Sequence, residues 1–280
     1  MLSYTGGIVL FAALLHASWN AMLHGNRDRF LSMTWMSIAI GIVAALTVLV
    51  TPAPARAAWP YIVASGFVHI AYNVTLVCSY SRNDLALAYP IARGSSPLLV
   101  ALGAAVFAHE AVGPLHWLGI VLISGGIIAV ALEGRRVSRA GLLTALATGV
   151  TIAVYTVIDG IGVRASGDRA LAYAGWMFLF FWLMPFLLIA VRGLPALLES
   201  ARAGPTAIGS SLAGGLASIA AYGIVIWALQ SDAMGAVSAL RETSVVFAVW
   251  IGRVFLREEI SAKRWLACMV VAAGAVCLGL

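Results

Sequence analysis

Apolar residues dominate this chain in runs of about 20, the length that crosses a bilayer's hydrocarbon core, and the runs are separated by short polar breaks. The pattern predicts ten spanning helices, at 5–23, 31–50, 59–80, 85–108 and 115–132 in a first half, and 140–163, 171–191, 207–229, 233–255 and 261–280 in a second. The fold class expected is therefore an all-α membrane protein. The first run lacks a basic leader and is followed at once by another apolar run, so it reads as a retained helix and not a cleaved signal.

Composition agrees. Of 280 residues, 62% are hydrophobic and 10% charged, with a mean hydropathy of +0.99, against roughly 25% charged residues in a soluble domain. The net charge of +6 does not form a basic face suited to nucleic acid, because the Lys and Arg residues sit in short loops between helices. Twelve of them fall in odd-numbered loops and three in even-numbered loops, which places the odd loops in the cytoplasm and both termini on the far side. Cys78, Cys268 and Cys277 lie in apolar runs without metal spacing and read as packing residues.

Sliding the chain by 148 residues aligns Asp84 with Asp232, Arg93 with Arg241, Ser96 with Ser244, Phe107 with Phe255, Glu110 with Glu258 and Trp117 with Trp265. A duplicated unit of five helices enters the membrane from the opposite side on its second pass. The expectation is thus two inverted five-helix repeats, residues 1–136 and 137–280, with a substrate site near mid-membrane between them.

The stretch from Ala88-Tyr89-Pro90-Ile91-Ala92-Arg93 through Glu110 and Trp117-Leu118-Gly119 to Gly125-Gly126, with its partner from Ala236 through Arg257-Glu258-Glu259 to Gly274, resembles the EamA-type half-unit. That unit belongs to the ten-helix branch of the drug/metabolite transporter superfamily. The resemblance implies a two-domain carrier working by alternating access, in a group that moves amino acids, sugar conjugates, phosphorylated metabolites or drugs. His109-Glu110 and Arg257-Glu258 depart from the usual Gly-Glu ending of the fourth helix.

Polar residues inside the spans carry the chemistry. A mid-helix Arg costs roughly 2.5–3.5 kcal/mol on insertion scales, and both Arg93 and Arg241 fall near the midplane. Each is a candidate to hold a substrate carboxylate or phosphate by bidentate bonding, or to be structural, paired with Glu242 or with backbone carbonyls. Glu242, about 100° around the helix from Arg241, is expected to neutralise Arg93 across the interface or to carry a proton. Pro90 and Pro97 remove amides from the fourth helix, so it is expected to bend, with freed carbonyls lining a wet cavity, while the ninth stays straighter. His16, Trp19, Asn20 and His69, Tyr72, Asn73 repeat one spacing that stacks three side chains on a helix face. These six are candidate cavity residues, opposed by Tyr155 and Tyr222, with Asp159, Trp176 and Trp227 as weaker candidates and Asp159 read as interfacial. Gly119, Gly125, Gly126, Gly214, Gly215 and Gly274 are expected at close helix contacts or hinges.

The function expected is secondary transport, by export or exchange, of a small anionic or zwitterionic metabolite such as an amino acid or phosphorylated compound. A broad drug or amphiphile exporter is the alternative. His16, His69 and Glu242 titrate and are candidates for coupling to protons; exchange without an ion fits the residues equally. No cofactor or metal motif is present, and neither His-Glu-x-x-His nor Gly-x-Gly-Asp occurs, so an enzyme is not expected. The expected setting is the bacterial cytoplasmic membrane, with the lipid bilayer and a small metabolite as partners; oligomeric state is open.

Overall fold

The computed structural model describes residues 4–26, 28–82, 85–132, 139–255 and 260–279. Asp84, Arg257, Glu258 and Glu259, named above for their place in the repeat, lie outside the described residues.

Helices α1 (Tyr4–Gly25), α2 (Arg29–Val50), α3 (Trp59–Arg82), α4 (Leu85–Phe107) and α5 (Pro114–Leu132) form the first five spans, and α6 (Arg139–Arg164) the sixth. The seventh comprises α7 (Ala170–Phe178), a 3-10 turn at Leu179–Trp182 and α8 (Leu183–Arg192). After α9 (Leu194–Ala203) come α10 (Pro205–Leu229), then α11 (Met234–Glu242) and α12 (Ser244–Phe255) as the ninth span, and α13 (Ala262–Gly279). Among the described residues, nine segments are long and apolar enough to cross a membrane, and the shorter apolar helix Pro114–Ala129 makes the tenth. Large apolar side chains such as Phe11, Leu46, Phe67, Leu143, Phe186 and Trp250 face outward. A helix bundle in lipid requires that surface, since its backbone polar groups are satisfied within each helix.

Local chemistry sets the ends. Asp28 caps α2, its carboxylate accepting from the Phe30 and Leu31 amides at 3.1 Å. The helix stops at Thr51, ahead of Pro52 and Pro54. Gly193, at φ 80°, turns the chain from α8 into the short amphipathic α9, with Pro195 in its first turn.

Packing follows the duplication. α1 lies on α10 as α3 lies on α6, and α4 lies on α6 as the ninth span lies on α1. The seventh span crosses α2, α11 crosses α4, and α13 runs along α5. At the last contact a Cβ on Gly119 would lie 2.8 Å from the Gly274 carbonyl oxygen, and one on Gly274 would lie 2.8 Å from the Gly119 carbonyl oxygen. The two backbones touch there, which only glycine allows. Gly126, Gly214 and Gly215 also sit at close contacts, but Gly125 faces open space and serves no packing role.

The interruption falls in the ninth span and not in the fourth. α4 continues through Pro90 and Pro97, and the Ser96 hydroxyl donates to the Arg93 carbonyl that Pro97 leaves free, at 3.2 Å. That carbonyl does not need a wet cavity. The ninth span is broken at Thr243 without a proline. The Thr243 hydroxyl donates to the Leu240 carbonyl at 2.6 Å, and the Thr243 amide bonds the same oxygen at 3.2 Å. Back-bonding by a hydroxyl competes with the i→i−4 ladder and bends helices.

Candidate functional site

Seven of the expected residues meet around a central cavity of about 40 Å³: His16 and Trp19 from α1, His69, Tyr72 and Asn73 from α3, Tyr155 from α6 and Tyr222 from α10. Met33, Met36, Ile40, Phe178, Phe181 and Ser218 complete the lining. His69 and Tyr155 lie 4.0 Å apart at 30°, and Tyr222 packs edge-on to both at 5.1 and 5.4 Å. Tyr72 stands 5.5 Å from Tyr155. A space of this volume holds water but not an amino acid.

The two histidines offer opposite chemistry. Trp19 donates from Nε1 to His16 Nδ1 at 3.1 Å, which leaves the His16 proton on Nε2, a buried donor with no partner. His69 Nδ1 lies 3.0 Å from the Ser65 carbonyl oxygen. A carbonyl only accepts, so that nitrogen carries the proton and Nε2 is the acceptor of the neutral ring.

Arg93, Arg241 and Glu242 do not line the cavity; they form a charged cluster beside it. All three side chains are 0–1% exposed. Arg241 donates from Nε and Nη2 to Glu242 Oε1 at 3.0 and 2.9 Å, and Arg93 reaches the same carboxylate at 3.3 and 3.4 Å. Glu242 thus pairs with its sequence neighbour as well as with Arg93, contrary to the helix-wheel expectation. The helix ends at Glu242 and the arginine stem is long enough to curl back. Arg93 also donates to the Tyr72 hydroxyl at 3.4 Å, linking the cluster to the cavity wall. Arg241 lies over the Tyr222 ring at 5.9 Å, and its Nη1 has no partner.

Asn20 is half-buried and outside the cavity, its amide bonded to the His16 carbonyl at 2.8 Å. Trp227 is 42% exposed on the outer surface, and Trp176 packs on Trp59 at 4.8 Å, so neither forms the opposing wall. Asp159 is not interfacial: it is fully buried, accepting from the Tyr173 hydroxyl at 2.9 Å and the Tyr222 hydroxyl at 2.7 Å. A lone Asp five residues from a helix end gives no signal of this in the sequence, because its cover comes from two other helices.

Beyond Asp159 the even-loop face is sealed. Arg164 pairs with Glu110 at 2.5 Å and donates to the Leu229 and Asp232 carbonyls at 3.0 and 2.9 Å. Glu110 accepts the Met234 amide at 3.0 Å, at the start of α11. On the opposite face Arg192 pairs with Asp28, and Trp35 donates to the Ser200 hydroxyl of α9 at 3.1 Å.

A bundle of apolar spans with charge and aromatic rings turned inward is the architecture of a polytopic membrane protein. The chain belongs to the EamA-like transporter family, which residues 139–280 match. A solved structure titled only "Crystal structure of protein" shares the fold, with a TM-score of 0.73 over 98% of this chain and 94% of that one at 19% identity. No curated protein matches the chain. The protein is a multi-pass integral membrane protein of a transporter family.

Proposed function

We propose that the chain is a secondary carrier, an exporter or exchanger, for a small anionic or zwitterionic metabolite such as an amino acid or phosphorylated compound. It works by alternating access of two EamA-like halves, residues 1–136 and 137–280, in a bacterial cytoplasmic membrane. The observation that carries the reading is a set of buried donors without partners, His16 Nε2, Asn73 Nδ2 and Arg241 Nη1. Leaving such groups unmatched is costly, and a carboxylate or phosphate supplies the acceptors they lack. Among the described residues two guanidiniums meet one carboxylate, a net positive cluster, which favours an anionic group. His69 Nε2 and the tyrosine rings supply acceptors and π faces for an ammonium, which favours an amino acid.

The aromatic lining by itself also suits a flat amphiphile, the one observation in favour of broad export. A thermal-shift screen of detergent-purified protein against amino acids, phosphorylated metabolites, phosphonates and hydrophobic cations separates the two, because a ligand of the folded state raises its stability. Stabilisation by one anionic or zwitterionic class, lost in Arg241→Gln, is the expected result. Stabilisation only by hydrophobic cations, retained in Arg241→Gln, rejects the metabolite carrier.

A further inference from the structure

We propose that Asp159 is the proton-binding site of this carrier and that Tyr222 relays its protonation state to the substrate cavity. The inference rests on the carrier reading above for its purpose, and on the geometry around Asp159 for its location.

The buried titratable groups differ in what a proton would do to them. Glu242 is held by two guanidiniums, and protonating it would remove the charge that both of them bind. His16 lies within the field of Arg93 and Arg241, where charging it would add a third cation. Asp159 is the reverse case. It is 0% exposed, and among the described residues no cation lies within ion-pair distance of it. Its hydrogen-bond partners, Tyr173 of α7, Tyr222 of α10 and Ser65 of α3, are neutral. A proton here removes an isolated buried charge, the costly state in a low-dielectric interior.

The groups facing it from each packed element are few. From α3 come Ser65, with His69 one turn on, and Tyr61 beside Tyr173; from α6 itself Tyr155; and from α11 Arg241, which acts at a distance. Arg241 is already paired with Glu242.

Two links make the site useful to a carrier. Tyr222 lines the substrate cavity and donates its only proton to Asp159 Oδ2. When water delivers a proton to Oδ2, the acid donates to the Tyr222 oxygen and the phenol O–H is released to turn toward the cavity, where it adds a donor for an anionic group. When the proton leaves, the phenol returns to Oδ2 and that donor is withdrawn. The second link runs to the membrane face. Arg164, which seals the even-loop side with Glu110, lies five residues along α6 from Asp159, about 7.5 Å at 1.5 Å per residue. Opening that seal brings water to Asp159 from the even-loop side alone.

The test uses acid-minus-base infrared difference spectra of the purified full-length protein without substrate. The wild type should show a carboxylic C=O band that shifts only slowly in D2O, as a buried acid does. Asp159→Asn should lose it, Tyr222→Phe and Tyr173→Phe should shift it through loss of their hydrogen bonds, and Glu242→Gln should keep it. A wild type without the band, or a band that survives Asp159→Asn, overturns the proposal. If Asp159→Asn does not fold, a band unmoved in both tyrosine variants overturns it equally. Because no substrate is used, failure here leaves the thermal-shift result standing, and failure of the metabolite screen with this band present rejects the anionic-carrier reading alone.

Discussion

At the residue scale the centre of the protein is one carboxylate shared by two arginines. Removing one member of a buried ion pair strands the others, at a cost of about 3–5 kcal/mol. Glu242→Gln is therefore expected to lower the thermal unfolding midpoint of the purified protein well below that of Glu110→Gln, whose partner Arg164 is 32% exposed. Equal midpoints for the two variants would mean the arginines are held by other groups. Arg93 and Arg241 were legible in the sequence because charge inside an apolar run stands out and because the repeat set them in register. Asp159 was not, since its burial depends on Tyr173 and Tyr222, which are 14 and 63 residues away along the chain. The pairing of Glu242 with Arg241, against the 100° that separates them around a regular helix, follows from where the helix stops.

At the element scale the helical ladder is interrupted in the α11–α12 span, which has no proline, and runs on through the two prolines of α4. Pro97 sits in a continuous α4 because Ser96 takes up the released carbonyl, whereas Thr243 breaks the ninth span by drawing the Leu240 carbonyl out of the helical ladder. Thr243→Val removes that hydroxyl and lets the Ser244 amide reclaim Leu240. Backbone amide exchange over residues 240–247 should slow several-fold, and unchanged exchange would place the cause of the break elsewhere. The contact between α5 and α13 carries a second prediction. Any side chain at Gly274 meets the Gly119 backbone, so Gly274→Val should cost about 1–3 kcal/mol by overpacking, seen as a lowered unfolding midpoint. Gly125→Val, which meets nothing within 4 Å, should not change it.

At the scale of the whole molecule the structure is closed toward the even-loop face by Arg164 and Glu110, with a central cavity too small for a metabolite. Arg164→Ala should weaken that seal. In a background with Cys78, Cys268 and Cys277 replaced by serine, an Ala228→Cys label site, 1% exposed in α10, should then react several-fold faster with a membrane-impermeant maleimide. Unchanged labelling would show that helix packing alone keeps the face shut.

The amino-acid sequence by itself determined the solvent, the number of spans, the duplication and the two intramembrane arginines. Each of these is a property of composition or spacing along one dimension, and a bilayer imposes so few solutions on an apolar chain that such patterns suffice. Only the tertiary structure decided which polar groups meet. It joined Arg93 to Glu242 across 149 residues, turned Asn20 and Trp227 away from the cavity, and left His16 Nε2, Asn73 Nδ2 and Arg241 Nη1 without partners. It also buried Asp159 beneath two tyrosines. Hydrogen bonds and ion pairs reach only about 3–4 Å, so their pairing depends on how helices rotate and approach one another, which periodicity along the chain does not specify.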